Sequence, residues 1–241
     1  MKWHETYRIN SHDTDANGIV RASAMLRYHQ ETANLQLENC HPTPKELLDA
    51  GLAFILSRVT MTLKSPVRSF ETIEVDTWGC PSHGATYNRC GQIFRGSELI
   101  AEVSSVWGLL SAADKRILRV GEVDMGFGTE EAIDIGLPTR FRIPRELELH
   151  ELGKRTVTYG DIDTNIHMNN TNYPDMLCGF LPTMQGIRVS EMSLNFVGEA
   201  HLGETITVMG TSEGEYNYFR TIRENGDTGV EAILRTIPIE A

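Results

Sequence analysis

The chain has 241 residues, 40% of them hydrophobic, with 22 Lys and Arg against 33 Asp and Glu, for a formal net charge of −11. That length suits one large domain or two small ones, with a sizeable core that needs no staples. The acidic balance argues against a nucleic-acid groove, which needs a basic stripe, and weakly against an acidic protein partner. No apolar run approaches the roughly 18 residues of a membrane span. The opening MKWHETYRIN lacks the apolar stretch of a signal peptide, so a cytoplasmic setting is expected. The cysteines Cys40, Cys80, Cys90 and Cys178 have no metal-ligand spacing and read as free thiols.

In chain order, YRINSHDTDANG leads into a helical stretch over about 22–39, whose apolar face (Met25, Leu26, His29, Ala33, Leu35, Leu37) is mixed. A short helix follows in PKELLDAG, with Pro44 at its start and Gly51 at its end. FILSRVTMTL and ETIEVDTWG read as strands because β-branched and aromatic residues suit a pleated surface. ATYNRCGQIF and LIAEVSSVWGLL form a hairpin around Arg95-Gly96-Ser97. The stretch to His150 lacks this pattern and carries Gly and Pro breaks, so it reads as a connector. RTVTYGDID is then strand-like, and a helix is predicted over about 171–184. Four strands close the chain, the last two turning at Asn225-Gly226.

The two halves repeat one another. HDTDANGIV at 12–20 aligns without a gap on GDIDTNIHM at 160–168. RVTMTLKSPVRSFETIEV from Arg58 resembles RVSEMSLNFVGEAHLGETITV from Arg188, in the same order. Two ordered matches indicate a duplication. Each half is a strand, a helix and an antiparallel sheet, an α+β layer in which one helix packs on a curved sheet.

Only the second copy completes Asp-x-Asn with a histidine: Asp163, Asn165 and His167. A turn from strand to helix presents free N–H groups that can hold a developing oxyanion. Asn169 or Asn170 is a natural N-cap. An imidazole there can take a proton from water near neutral pH. The same residue types also serve as plain caps and Asx-turns, and both readings stay open on the residues alone.

DIDTNIHMNNTNY resembles the motif of the acyl-acyl-carrier-protein thioesterases. VWGLLSAADKRILRV and LNFVGEAHLGETI are similar to two further segments of that family, so the resemblance covers nearly the whole chain. It implies a tandem double hotdog: residues 1–112 an N-terminal hotdog that binds the acyl chain, 113–150 a connector, and 151–241 a C-terminal catalytic hotdog. It implies hydrolysis of a fatty acyl thioester on acyl carrier protein, which ends chain elongation and needs no metal or organic cofactor. Carried over residue by residue, it makes Asp163, Asn165, His167 and Glu199 catalytic. Asn169 and Asn170 would bind substrate, and Met25, Leu26, His29, Phe54 and Trp107 are candidates for the acyl wall. The family commonly has a cysteine after the glutamate, once proposed as a nucleophile. Here that residue is Ala200, so direct attack by water is expected, activated by Glu199 or His167. In the first copy Ile19 matches His167, and Asp13, Asp15 and Asn17 read as a relic that organises the turn. A homodimer of single domains has two equivalent sites, and fusing the halves frees one to change.

The implied partner is an acyl carrier protein bearing a fatty acyl thioester. Neither nucleic acid nor integral membrane association is expected, and homodimerisation stays open. Because the carrier is also acidic, docking needs a local basic patch. Arg89 and Arg95, Arg140, Arg142 and Arg145, and Lys154 with Arg155 are the candidates. The rivals are an acyl-CoA thioesterase of the same fold, a non-catalytic acyl-binding protein that kept the fold, and, with a less fitting motif, a hotdog dehydratase.

Overall fold

The computed structural model describes residues 2–126 and 128–239. Its first half runs β1 (Trp3–Arg8), α1 (Ala22–Glu38), α2 (Pro44–Asp49), β2 (Leu52–Leu63), β3 (Thr72–His83), β4 (Thr86–Arg95), β5 (Glu98–Ser111) and β6 (Arg116–Leu118). The second runs β7 (His150–Thr156), α3 (Tyr173–Cys178), β8 (Ile187–Phe196), β9 (Thr205–Glu213), β10 (Tyr216–Ile222) and β11 (Thr228–Pro238).

All of these strands join one sheet in the order β1-β3-β4-β5-β2-β8-β11-β10-β9-β7, with β6 paired to β5. The order is the same read from either end once β7–β11 are matched to β1–β5, so the duplication is visible in the topology. The halves meet where β2 pairs antiparallel with β8, from Arg58↔Asn195 to Thr62↔Glu191. Thr60 faces Ser193 at the centre of that ladder. This pairing removes one open edge from each half. Met61 and Met192, paired across the seam, are both fully buried in the main core.

Helix α1 covers the first half. Met25 and Leu26 share the main core with Ile73, Val75 and Ile93. The rest of its buried face is polar: Thr32 and Gln36 are buried, while Leu35 and Leu37 are only half-buried. The apolar stripe expected through 35 and 37 is thus displaced by hydrogen bonding. The Arg89 guanidinium donates to Gln36 Oε1 at 2.6 Å and to Thr77 Oγ1 at 3.1 Å. Gly91 leaves room for the His29 ring, which a side chain there would strike. Helix α2 starts as its sequence predicts, with Pro44 in the first turn and a reciprocal cap between Thr43 and Glu46.

The helix of the second half is shorter than the sequence suggested. A 3-10 turn over Asn170–Asn172 leads into α3, which stops at Cys178 rather than near 184. Gly179, Pro182 and Gly186 break the continuation. Within the segment read as a connector, β6 adds a short strand, Thr129 bridges to Gly79, and Trp78 Nε1 donates to Glu131 O at 2.9 Å. No helix among the described residues is long and apolar enough to cross a membrane.

Candidate active site

The motif of the second half lies between β7 and α3. Asp161, the first acid, is buried and structural. It pairs with Arg155 and accepts from Thr158 N at 2.8 Å and Thr158 Oγ1 at 2.7 Å. Its carbonyl oxygen accepts from Asn169 N at 2.8 Å and Asn172 Nδ2 at 3.0 Å. Removing the carboxylate would strand the Thr158 and Arg155 donors at a cost of about 1–3 kcal/mol.

Asp163 closes the next turn. Its Oδ1 accepts from Asn165 N at 2.8 Å and its backbone N–H donates to His167 O at 3.1 Å. Ile166 sits at the bend with φ +64°, a left-handed conformation that a β-branched residue rarely adopts. The turn delivers His167 against the segment after β8. His167 bridges to His201, and Met168 N donates to Ala200 O at 2.8 Å. This puts His167 Nε2 3.6 Å from Glu199 Oε1. The histidine side chain is 17% exposed and the glutamate 56%. The gap is longer than a direct hydrogen bond, and among the described residues no donor is bonded to the Glu199 carboxylate. The His167 Nδ1 points at the Met168 carbonyl oxygen, 3.5 Å away.

Asn169 caps the 3-10 turn, its Oδ1 accepting from Thr171 N at 2.9 Å and Thr171 Oγ1 at 2.7 Å. The side-chain amides of Asn165 and Asn170 have no protein partner among the described residues. Ala200 is fully buried, so the position after Glu199 presents nothing to a substrate. Below the site, Tyr173 packs edge-on to Phe196 with ring centroids 5.8 Å apart, and burial pushes its phenol well above the usual range.

The first copy has the same backbone and different chemistry. Val20 N donates to Val67 O at 2.8 Å, as Met168 N does to Ala200 O. This register places Ile19 where His167 stands and Pro66 where Glu199 stands. Gly18, at φ +71°, occupies the bend held by Ile166. Asp15 again accepts from the residue two ahead, Asn17 N at 2.8 Å. Asn17, however, spends its amide on structure. Its Nδ2 donates to Met184 O at 2.8 Å and Ile187 O at 3.2 Å, and its Oδ1 accepts from Gly186 N at 2.9 Å. Asp13 is held by Tyr28 Oη, which donates at 2.7 Å, and by Asn10. Burial would raise the Asp13 carboxyl, but these hydrogen bonds outweigh it and hold it low.

A cavity of about 240 Å³ lies at this first copy, bordered by Asp15, Ile19, Met25, Leu63, Val189 and Cys178 among others. Of the five candidates for the acyl wall, Met25 is the one that borders it. Leu26 faces the main core. His29 is wholly buried, with Thr77 Oγ1 3.3 Å from its Nε2, and burial with the Arg89 charge pushes its pKa down to about 3. Phe54 packs edge-on to Tyr87 in a separate small cluster near Leu109, and Trp107 leans on the main core while donating to Ser105 Oγ at 2.9 Å. None of Asp163, Asn165, His167 and Glu199 lines the cavity.

Several basic residues proposed for docking are committed elsewhere. Arg89 is buried, Arg95 pairs with Glu71 and Glu98, and Arg155 holds Asp161. Arg140, Arg142 and Arg145 are exposed and gather at one groove with Arg58 and Arg220, two residues that sequence reasoning missed. It also missed the Asp161–Thr158 staple, although Thr158 three residues before Asp161 is a capping-box spacing.

The fold is that of a double-hotdog protein, and among the described residues its second half sets a histidine beside a glutamate where its first half does not. Solved structures share the fold. An acyl-ACP thioesterase from Bacteroides thetaiotaomicron superposes with TM-score 0.88 at 16% identity, covering 98% of each chain. The 12:0-ACP thioesterase from Umbellularia californica superposes with TM-score 0.82 at 16% identity, covering 98% of this chain and 97% of that one. A putative oleoyl thioesterase from Lactobacillus plantarum gives 0.84 at 17% identity, covering 100% and 98%. Among curated proteins none matches the sequence. Residues 1–124 match the acyl-ACP thioesterase N-terminal domain and residues 146–235 its C-terminal domain. The chain belongs to the acyl-ACP thioesterase family, and it is a hydrolase of fatty acyl thioesters.

Proposed function

We propose that the enzyme releases a fatty acid from acyl carrier protein by direct attack of water, with no covalent acyl-enzyme. The observation that carries this reading is the convergence of His167 Nε2 and Glu199 Oε1 at 3.6 Å beside a buried alanine. A water between the two loses its proton to the pair as its oxygen bonds to the thioester carbonyl carbon. The side-chain amides of Asn165 and Asn170, which lack protein partners among the described residues, donate to the developing oxyanion. The carbon–sulfur bond then breaks, and the proton held by the pair passes to the departing thiolate. The products are a carboxylic acid and the free thiol of the carrier, so elongation of that chain ends. Asp163 acts by fixing the turn that carries Asn165.

In this reading the N-terminal half receives the acyl chain, with Met25 at its wall, and the C-terminal half performs the chemistry. It retains the cytoplasmic setting expected from the sequence. The test is intact-mass analysis of enzyme quenched during steady-state turnover. The unmodified mass is expected throughout. An adduct of one acyl group on any residue would overturn direct water attack.

A further inference from the structure

An acidic chain has to meet a carrier that is itself acidic, and one surface feature resolves the repulsion. Across the sheet, Arg58, Asn195, Glu231 and Arg220 form one lateral row through β2, β8, β11 and β10. Their chain neighbours Val59, Leu194, Ala232 and Phe219 are buried, so by strand alternation the row faces outward. The connector lays Arg140, Arg142 and Arg145 over this row, enclosing a groove of about 500 Å³. Arg220 is neutralised by Glu231, with Nη2 2.6 Å from Oε1. Among the described residues no carboxylate forms an ion pair with Arg58, Arg140, Arg142 or Arg145. Four uncompensated guanidinium groups repel one another across one groove, in a chain whose net charge is −11. That arrangement costs folding energy and favours an anionic partner.

The groove also lies close to the reaction centre. Asn195 is on it, and Glu199 is four residues further along the chain, at most about 15 Å away by Cα spacing. The segment between them runs over the surface, with Val197 58% exposed. A phosphopantetheine arm, a flexible chain carrying a thiol at its end, spans a comparable distance.

We propose that this arginine groove is the docking surface for the acidic carrier protein, seating its negative face while the pantetheine arm runs past Val197 to Glu199 and His167. The inference rests on the hydrolase activity stated above. Charge complementarity selects the occupant: arginines present planar donors to carboxylate and phosphate, and the protein's overall charge repels acidic partners elsewhere.

The test compares one acyl group on three carriers: acyl carrier protein, CoA and N-acetylcysteamine. The variants are R140E/R142E/R145E and the lysine set R140K/R142K/R145K, with melting temperature recorded for each. For the glutamate variant, kcat/KM on acyl carrier protein is expected to fall at least tenfold relative to N-acetylcysteamine, mainly through KM. The wild-type rate on acyl carrier protein should fall with added salt, and the variant should lose that dependence. The lysine variant should regain most of the loss. Equal losses on acyl carrier protein and CoA would overturn the proposal, since the groove would then read phosphate rather than a protein face. An unchanged ratio, or a lysine variant as impaired as the glutamate one, would overturn it as well. Absence of hydrolysis of all three thioesters by the wild-type enzyme would instead sink the hydrolase activity on which the proposal rests.

Discussion

His167 and Glu199 reach each other from two separate segments, with Nε2 3.6 Å from Oε1, while their counterparts Ile19 and Pro66 carry no titratable group. The proposed chemistry therefore rests on a pair that the fold assembles and that, among the described residues, the first half does not repeat. H167N and E199Q should each lower kcat about 10²–10⁴-fold, the range of a positioned acid or base. The double variant should lose little more than the worse single, because the two act on one water. Full multiplicativity in a double-mutant cycle would show independent roles.

The two acidic turns should respond differently to the same change. D163A frees the Asn165 turn and should cut kcat about tenfold or more. D15A removes the acceptor of Asn17 N and should cost about 1 kcal/mol of stability, with kcat retained within about twofold. Thermal melts and initial rates on both variants decide this. A large kcat loss in D15A would restore a catalytic role to the first copy.

Chain-length preference should move with Met25. M25F fills part of the space at the first-copy cavity, and the preferred acyl chain should shorten. Pocket depth is worth about 1–3 kcal/mol per methylene, enough to reorder neighbouring chain lengths. Competition between acyl groups of different length, read by product chromatography, measures the shift. An unaltered profile with a normal melting temperature would place the acyl wall elsewhere.

Acid should destabilise the fold through His29. Burial, aided by the Arg89 charge, pushes its pKa from 6.5 down to about 3. The unfolded chain then takes a proton below pH 6.5 that the folded chain refuses. Stability is fully present above about 6.5 and falls with pH towards 3, by up to about 1.4 kcal/mol per pH unit. Urea unfolding at pH 7, 6 and 5 should show this slope, and H29Q should flatten it. An equal slope in both proteins would assign the acid sensitivity to other groups.

The duplication, the two helix starts and the strand pattern were readable because periodicity and turn residues act locally. The candidate turn was readable because Asp163, Asn165 and His167 sit within five positions. What escaped was set by tertiary contact. Nothing in the letters of Asn17 and Asn165 distinguishes an amide spent on the 184–187 segment from one with no partner among the described residues. Arg89 and Arg142 look equally available in sequence, yet one is buried under α1 and the other stands on an open groove. Helix α3 was overestimated because apolar residues after Cys178 pack without helical backbone, beyond a glycine and a proline.

At one bend the second half keeps an isoleucine and the first half a glycine, at nearly the same φ of +64° and +71°. A left-handed β-branched residue costs about 1–2 kcal/mol, and Ile166 offsets little of that by burial, being 64% exposed. The turn is in effect a loaded spring, held shut by the bridges on either side of it. I166G should release part of that load and raise the melting temperature. It should also let the peptide swing and lower turnover, because His167 is the next link in the chain. Durability and speed would then move in opposite directions at a residue that touches no proton.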